Sequence, residues 1–483
     1  MANLFTNMAN NIGDWMAAKI APYINDAMGR GYNVLGSYYK GDQRPQLKAV
    51  VGKPDDNITV NYVGLAVDRS VSRMFRGGVK FNLPDGADAQ QEWLDTVWDL
   101  NKKEILLYQL GLHGGVYGTP YLKISPDGIT DPYTGATYPR LIATDPEIIR
   151  VKTSHQDMSD VEAYIIEYSY KDDGKEISRR EITRHSEEKD YTEGDGEETK
   201  TERDTWIVEE WEQVGGGPWQ MTEAVEWPYN FPPILHWKNL PSLKSAYGDS
   251  DIDDAINIQD KSNFVTSNTG KIIKFHAHPE VIGTGFSVKD MTQIDSAVGT
   301  FRAIAAPEAK VFTLEMQSDL SSSLAFGFGL RQSIFDVSRE VDISSMADKL
   351  GALTNFGLHV LWSDALDKND TKRQLYGDAL KELNRRLLVI AGFEGELSRP
   401  GEVEFGDPMP VDVVEEMTVD GMALDKGIVD LETVTKRYQK RYGVDYETIQ
   451  ANIAKQKAGD NANNDNIGAA ILRNFTQNRQ EGQ

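Results

Sequence analysis

The sequence predicts an α+β fold divided into several domains. Three observations lead to this prediction. Helical patterns of apolar residues recur before residue 117 and after residue 247, strand-like alternation fills much of residues 120–237, and a short mixed segment interrupts the later helices. A chain of 483 residues with 40% hydrophobic residues is long and apolar enough for about three domains with cores of their own.

Residues 1–246 are predicted to form the first domain, with helices followed by a β-rich region. Apolar residues at steps of three and four predict a helix over residues 57–75, and the glycines at 77 and 78 end it before a strand that starts at Val79. Further helices are predicted over residues 87–100 and 102–116. The highly charged residues 171–204 are predicted to be a solvated hairpin extension. Strands are predicted over residues 120–124, 141–143, 148–151, 161–170, 206–212 and 219–221.

One long helix is predicted over residues 247–274. Ser250 suits the N-cap, and the aspartates of its first turn suit the positive end of the helix dipole. Its interior is unusually polar. Because such a helix does not suit a hydrophobic core, we expect it to pack against partly hydrated surroundings, such as other copies of itself around an aqueous passage. The polar residues are Gln259, Ser262, Asn263, Thr266, Ser267 and Asn268.

A second long helix is predicted over residues 318–338, separated from the first by a small α/β segment, residues 275–317. Gly327 and Gly329 in this helix cost about 1 kcal/mol each relative to alanine, which indicates a packing or bending requirement. Residues 339–351 break the helical pattern. A third long helix follows within residues 352–410, and its first half is apolar nearly all round, which predicts burial. A strand is predicted over residues 402–405, short helices over 411–457, and a disordered tail over 458–483.

The charge of −24, from 75 acidic against 51 basic residues, argues against tight, static binding of nucleic acid, which requires neutralisation of phosphates. A surface past which DNA slides remains allowed. There is no cysteine, so disulfides and thiolate metal sites are excluded. The first twenty residues lack the pattern of a signal peptide, and no window of about 18 apolar residues occurs, so the sequence predicts a soluble protein that is not exported.

The sequence offers little catalytic chemistry. It has no phosphate-binding P-loop and no complete dinucleotide motif. His276 and His278 could share one face of a strand and bind a metal, but a chain with seven histidines and no cysteine makes this the weaker interpretation. The acidic cluster at residues 249–254 could bind Mg²⁺ in a nuclease, although its role at a helix start is favoured. We therefore predict no catalytic residue, no metal and no cofactor.

Motifs in this order resemble those of tailed-bacteriophage portal proteins of the SPP1 type. They are SYYKGDQRP at residue 37, NYVGLAVDRSVSRMFRGGVKF at 61, PPILHWKN at 232, YGDSDIDDAINIQDKSN at 247, the long helix at 352–387, VEFGDPMP at 403 and DKGIVDLETV at 425. Each motif is degenerate, so the resemblance depends on their order and spacing over most of the chain.

The resemblance implies a ring of identical subunits, twelve in the virion, at one vertex of the capsid. Double-stranded DNA would be packaged through this ring by the large terminase subunit and later ejected, without sequence specificity. The other implied partners are the head-tail adaptor, the major capsid protein and the scaffolding protein, with no membrane, and assembly would take place in the host cytoplasm. The implied parts are a wing (1–246), two stem helices (247–274 and 318–338), a clip (275–317), a tunnel loop (339–351), a spine helix with its return to the wing (352–410) and a crown (411–457).

The implied tunnel loop supplies the candidate DNA-channel residues. Arg339 and Lys349 are candidates for transient phosphate contacts, and their pairing with Asp342 or Asp348 is an equally weighted alternative. Its other candidate residues are Ser344, Ser345 and Met346, and Lys271 and Lys274 mark the stem end near the clip. Two rival functions remain at this stage: another structural virion protein, such as a capsid protein or connector, and a metal-dependent nuclease that uses the Asp249–Asp254 cluster.

Overall fold

The computed structural model describes residues 31–48, 55–154, 157–158, 160–188, 203–243, 246–277, 280–284, 301–304, 310–314, 320–345, 355–409, 413–435 and 447–455. The chain divides into two compact units, Met1–Pro408 and Met409–Gln483. In its described residues, the first unit combines long helices with four sheets, which confirms the predicted α+β class. Among the described residues, no helix combines the length and the apolar character needed to span a membrane.

Between residues 31 and 117, the described residues form four helices and one strand. The helices are α1 (Tyr32–Lys40), α2 (Tyr62–Met74), α3 (Asp88–Leu100) and α4 (Lys103–Tyr117), with strand β1 (Val79–Asn82) between α2 and α3. The predicted helix over residues 57–75 begins later than expected, because Asn61 caps α2 by accepting a hydrogen bond from the Gly64 amide at 3.0 Å. Gly77 and Gly78 both have positive φ, 75° and 80°, so they end α2 as predicted.

The β-rich region forms two antiparallel sheets. Strands β2 (Tyr121–Thr130), β3 (Thr137–Thr144) and β9 (Ile234–His236) form one sheet in the order β3-β2-β9. Strands β4 (Ile149–Thr153), β5 (Val161–Asp172), β6 (Lys175–Glu188), β7 (Arg203–Val214) and β8 (Gln220–Trp227) form the other in chain order. The charged segment at 171–204 therefore supplies the central strand β6, and Ile182 within it is buried against Ile165 and Trp211. The segment forms a hairpin, as predicted, in which β5 and β6 pair up to Asp172 and Lys175, but the prediction that it is solvated was wrong at Ile182.

Two long helices precede and follow a separate small sheet in the chain. Helix α5 (Ile256–Ala277) packs along helix α6 (Leu320–Val337), and strands β10 (Glu280–Thr284), β11 (Phe301–Ile304) and β12 (Lys310–Leu314) lie between them in sequence. These strands pair in the order β11-β10-β12, with β10 parallel to β11 and antiparallel to β12. A short helix predicted over residues 287–295 lies outside the described residues.

The third long helix, α7 (Asn355–Ile390), crosses the first unit and leads through a 3₁₀ turn, Gly395–Ser398, to β13 (Glu402–Phe405). Strand β13 returns to pair with β1, with Val79 opposite Phe405. The C-terminal half of α7 is buried in the main core through Tyr376, Leu380 and Leu383. Its N-terminal half is not covered in the single chain, where Val360 is 58% exposed, so the predicted burial of that half was wrong for the isolated subunit.

The second unit is helical where it is described. It contains α8 (Val413–Asp425) and further helical residues at 431–435 and 447–455. The predicted tail at 458–483 lies outside the described residues.

Candidate functional site

The segment that leaves α6, residues 338–342, is fixed by basic side chains from three helices. Lys368 Nζ donates to the Ser338 carbonyl at 2.7 Å. Arg69 donates to the Val341 carbonyl at 3.1 Å. This segment is the start of the predicted tunnel loop, and we call it the root. Helices α7 and α2 therefore both bond to the root.

Two ion pairs complete the anchoring of this root. Arg331 Nη2 and Asp342 Oδ1 are 2.6 Å apart, and Arg73 forms a buried ion pair with Glu340. Arg73 also donates to the Ala365 carbonyl at 3.3 Å. Because Arg73 lies on α2 and Ala365 on α7, the pair ties the root to both helices. Burial raises the pKa of Glu340, and the hydrogen bond from Arg73 opposes that shift.

Of the predicted DNA-channel residues, one lies in the root at residues 338–342 and the others follow it. Arg339 is exposed and has a φ of 51°, the left-handed region that non-glycine residues rarely adopt. Ser344 and Ser345 are exposed, and the Ser345 hydroxyl donates to the Asp342 carbonyl at 2.8 Å. The Asp342 carboxylate is paired with Arg331, where a pairing with Arg339 had been an alternative. Met346 and Lys349 lie outside the described residues.

A buried ionic cluster centred on Asp251 lies next to this root. Lys372 and Lys368 both contact the Asp251 carboxylate, Lys368 at 3.0 Å, and all three side chains are at most 4% exposed. Asn239 donates to the same carboxylate at 3.2 Å, and Lys372 also donates to the Ser70 hydroxyl at 3.1 Å. The cluster therefore joins α2, α7 and the segment before α5 at one point.

The two signs of charge in this cluster shift each other's pKa. Burial raises the pKa of Asp251, but Lys368 and Lys372 outweigh that effect, and the net pKa is lowered. Burial lowers the pKa of Lys372 to about 8, although Asp251 opposes the shift. Asp251 is thus an ionised, paired group in the interior.

Asp251 had been predicted to be a first-turn residue of a helix beginning near residue 250, and this was wrong. Helix α5 begins at Ile256, because the preceding residues bond to the end of α4. Ser250 Oγ donates to the Val116 carbonyl at 2.6 Å, and the Asp251 amide donates to the Gly115 carbonyl at 2.8 Å. The missed signal was in α7, where Lys368 and Lys372 interrupt an otherwise apolar stripe at helical spacing.

The polar stripe of α5 binds an extended segment of the same chain. We call residues 55–62 the strap. Ser267 Oγ accepts from the Ile58 amide at 2.9 Å and donates to the Ile58 carbonyl at 3.2 Å. Asn263 Oδ1 accepts from the Val60 amide at 3.2 Å. The polar face of this helix is therefore turned largely to its own subunit, which corrects the prediction that it faces a solvent-filled bore.

Gln259 continues this pattern at the start of α5. Its amide nitrogen donates to the Val60 carbonyl at 2.6 Å, and its oxygen accepts from the Tyr62 amide at 3.2 Å. Residues four apart in a helix rise about 6 Å, and alternate residues of an extended chain rise about 6.6 Å. The two repeats match over this length, so side chains of α5 take the place of a neighbouring β-strand. This match explains why residues 57–61 are extended where a helix had been predicted.

The two stem-end lysines have different environments. Lys274 Nζ is 2.6 Å from Asp56 Oδ1 at the far end of the strap. Lys271 is exposed. Lys274 therefore extends the contact between strap and helix by an exposed ion pair, which we expect to contribute at most about 1 kcal/mol.

Replacing Asn263 with leucine is expected to destabilise the strap. The change removes the acceptor for the Val60 amide and the donor to Gln43 Oε1, which lies 2.5 Å from Asn263 Nδ2. A cost of about 2 kcal/mol is expected from such orphaned groups. Hydrogen exchange should become faster at Val60, as measured by mass spectrometry. Asn268→Leu, at an exposed position of the same helix, is the control; equal exchange in the two variants would contradict the role of Asn263.

The candidate metal ligands do not assemble into a site. Within the described ranges, no group of three or more His, Asp or Glu side chains is placed to hold a metal ion. Asp249 and Asp254 are exposed, whereas Asp251 is committed to two lysines. His276 is exposed, and His278 lies outside the described residues.

The first unit thus has two paired helices that precede and follow a separate small sheet, and a third long helix that leads to strand β13, which pairs with β1. A family model described as phage portal protein, SPP1 Gp6-like, matches residues 22–462. The chain belongs to this family of portal proteins, which confirms the resemblance seen in the sequence. Members of this family are structural proteins of the phage virion and serve DNA packaging. No curated protein matches the chain.

Proposed function

We propose that this portal protein forms a ring of twelve subunits through which double-stranded DNA enters the capsid, driven by the terminase, and later leaves. The observation that carries the proposal is the pair α5 and α6 with its separate sheet, within a chain that matches the portal family over residues 22–462. In this assignment α5 and α6 are the stem, and the sheet of β10, β11 and β12 is the clip that docks terminase and the head-tail adaptor. Residues 1–246 are the wing, which faces the capsid and scaffolding proteins, α7 is the spine, and residues 411–457 are the crown.

The surface of α6 supports a ring. Phe328 is 67% exposed, and Leu324 and Phe326 are also exposed on this helix. Large apolar side chains grouped on one exposed helix mark a surface that another molecule covers. The charge of −24 in each copy would repel the DNA phosphates, so the duplex would pass without adhering to the wall.

The buried position of Asp251 weakens the rival nuclease interpretation. A Mg²⁺ site needs carboxylate oxygens that are open to the ion, and those of Asp251 are occupied by Lys368 and Lys372. Electron microscopy of the purified protein tests the proposed function. Turbine-shaped rings with a central hole are expected, and compact monomers at all concentrations would contradict the proposal.

We expect Arg339 to affect DNA passage through its charge. Arg339→Glu should reduce the amount of DNA packaged in an assay with terminase and ATP, because it replaces a transient phosphate contact with repulsion. Arg339→Asn is the control, since asparagine tolerates a positive φ and removes the charge without reversing it. The expected order is wild type, then Asn, then Glu. Equal packaging by all three would show that Arg339 does not contact the DNA.

A further inference from the structure

Two uncovered surfaces of the first unit carry opposite charge. One surrounds a cavity of about 290 Å³ between the end of α2 and the start of α4, lined in part by Phe75, Leu107 and Tyr108. Ile105, in the same turn of α4, is 64% exposed. This surface is therefore concave, apolar and open to solvent.

Exposed basic residues adjoin the lining of this cavity in the sequence. Lys102 and Arg76 are exposed and are the sequence neighbours of Lys103 and Phe75, which line the cavity. Glu104, which also lines the cavity, is the one acid of this group and lies 4.0 Å from Lys103. These four residues together carry three positive charges and one negative charge, in a chain of net charge −24.

The second surface is the exposed face of the N-terminal half of α7. Val360 is 58% exposed, and Asp364, Asp367 and Asp370 are exposed on the same side. Val360 is apolar like the lining of the cavity. The aspartates that follow it at helical spacing are opposite in charge to Lys102 and Arg76.

The two surfaces use faces of α2 and α7 that differ from the face with which each helix contacts the other, although Phe75 at the cavity also packs on Tyr376 of α7. In α2, Ser70 faces α7 through its bond to Lys372, and Ser72 lines the cavity. At about 100° per residue, these two positions are about 200° apart. In α7, Asp367 lies about 140° from Lys372 on the same basis. A ring needs two different, complementary surfaces on each subunit, and these two surfaces share no residue.

We propose that the acidic face of α7 packs on the basic-rimmed cavity between α2 and α4 of the next copy in the ring. Val360 then opposes the apolar lining, and Asp364 and Asp367 oppose Lys102 and Arg76. The inference rests on the proposed ring and specifies which surfaces close it. It also accounts for the apolar N-terminal half of α7, which the single chain leaves exposed.

Cross-linking tests the contact with little background, because the chain contains no cysteine. The double variant Lys102→Cys/Asp367→Cys, treated with a short bis-maleimide, should give a ladder of covalent multimers on a denaturing gel. Each single variant should stay monomeric, since the contact joins two different surfaces. Lys102→Cys/Glu92→Cys, with Glu92 exposed on α3, is the matched control.

Charge reversal gives a second, independent measurement. Arg76→Glu/Lys102→Glu should reduce the ring fraction in size-exclusion chromatography at least tenfold, and adding Asp364→Lys/Asp367→Lys should restore most of it. Rings in micrographs without the cross-link and without this rescue would overturn the inference and leave the proposed function standing. Cross-linking of a single variant to itself would also overturn it. If the wild-type protein forms no ring, this inference and the proposed function are both contradicted.

Discussion

Replacing Asp251 with asparagine is expected to lower the free energy of unfolding by about 3–5 kcal/mol, the cost of removing one partner from a buried ionic group. Lys368 and Lys372 are at most 4% exposed, and without Asp251 their charges repel each other with no carboxylate between them. Urea unfolding followed by tryptophan fluorescence measures this loss, since Trp237 packs on Tyr376 beside the cluster.

Asp254→Asn is the matched control for this prediction. Asp254 is exposed and only three residues away, so its variant should unfold within about 0.5 kcal/mol of the wild type. The triple variant Asp251→Leu/Lys368→Met/Lys372→Met should recover part of the loss, because removing all the charges leaves none unpaired. Equal stability of the Asp251 and Asp254 variants would show that the cluster is not an anchor.

The same variant should loosen the root of the tunnel loop. Lys368 holds both Asp251 and the Ser338 carbonyl, and Arg73 holds both Glu340 and α7. Hydrogen exchange over residues 338–342 should therefore rise in Asp251→Asn. Buried charges thus fix where the loop starts, and Ser344 and Ser345, the last described residues before residue 355, are exposed.

The sequence predicted the helices whose pattern is local. Helices α3, α4 and α7 follow from apolar spacing, and their observed bounds lie within about three residues of the predictions. The pairing of β1 with β13 could not be predicted in this way, because it joins Val79 to Phe405 across most of the chain. The sequence of neither strand indicates which strand it pairs with.

The α5 stripe shows a different limit of sequence analysis. The pattern correctly marked Gln259, Asn263 and Ser267 as unsuited to an apolar core, but it could not identify the partner. Buried polar groups are satisfied by whatever donors and acceptors lie nearby, and here these are backbone groups of the strap, about 200 residues earlier in the chain. The same limit explains Asp251, whose lysines lie more than 100 residues later.

The last prediction concerns His236, which we expect to make the protein less stable as the pH falls from 6.5 to about 4. Its side chain is partly buried, with a ring nitrogen 2.9 Å from the Tyr164 hydroxyl, and its ring stacks on Tyr121. Burial, and then the charges of Arg386 and Lys238, lower its pKa from the usual 6.5 to about 4. Arg386 also donates to the Ile234 carbonyl at 3.2 Å, so a protonated His236 would place a second positive charge at this joint between β9 and α7.

The direction of this pH dependence follows from the number of protons that the folded and unfolded states bind. Between pH 4 and 6.5 the unfolded chain protonates this histidine and the folded protein does not, so stability rises with pH across this window and is lost on acidification. At about 1.4 kcal/mol per pKa unit, the loss is about 3 kcal/mol. Urea midpoints at a series of pH values measure the slope of stability against pH.

His236→Gln should flatten this slope, leaving the smaller contribution of His113, whose pKa is also lowered mainly by burial. His276→Gln, at an exposed site on α5, should keep the wild-type slope. An unchanged slope in His236→Gln would mean that this ring is not held neutral in the fold.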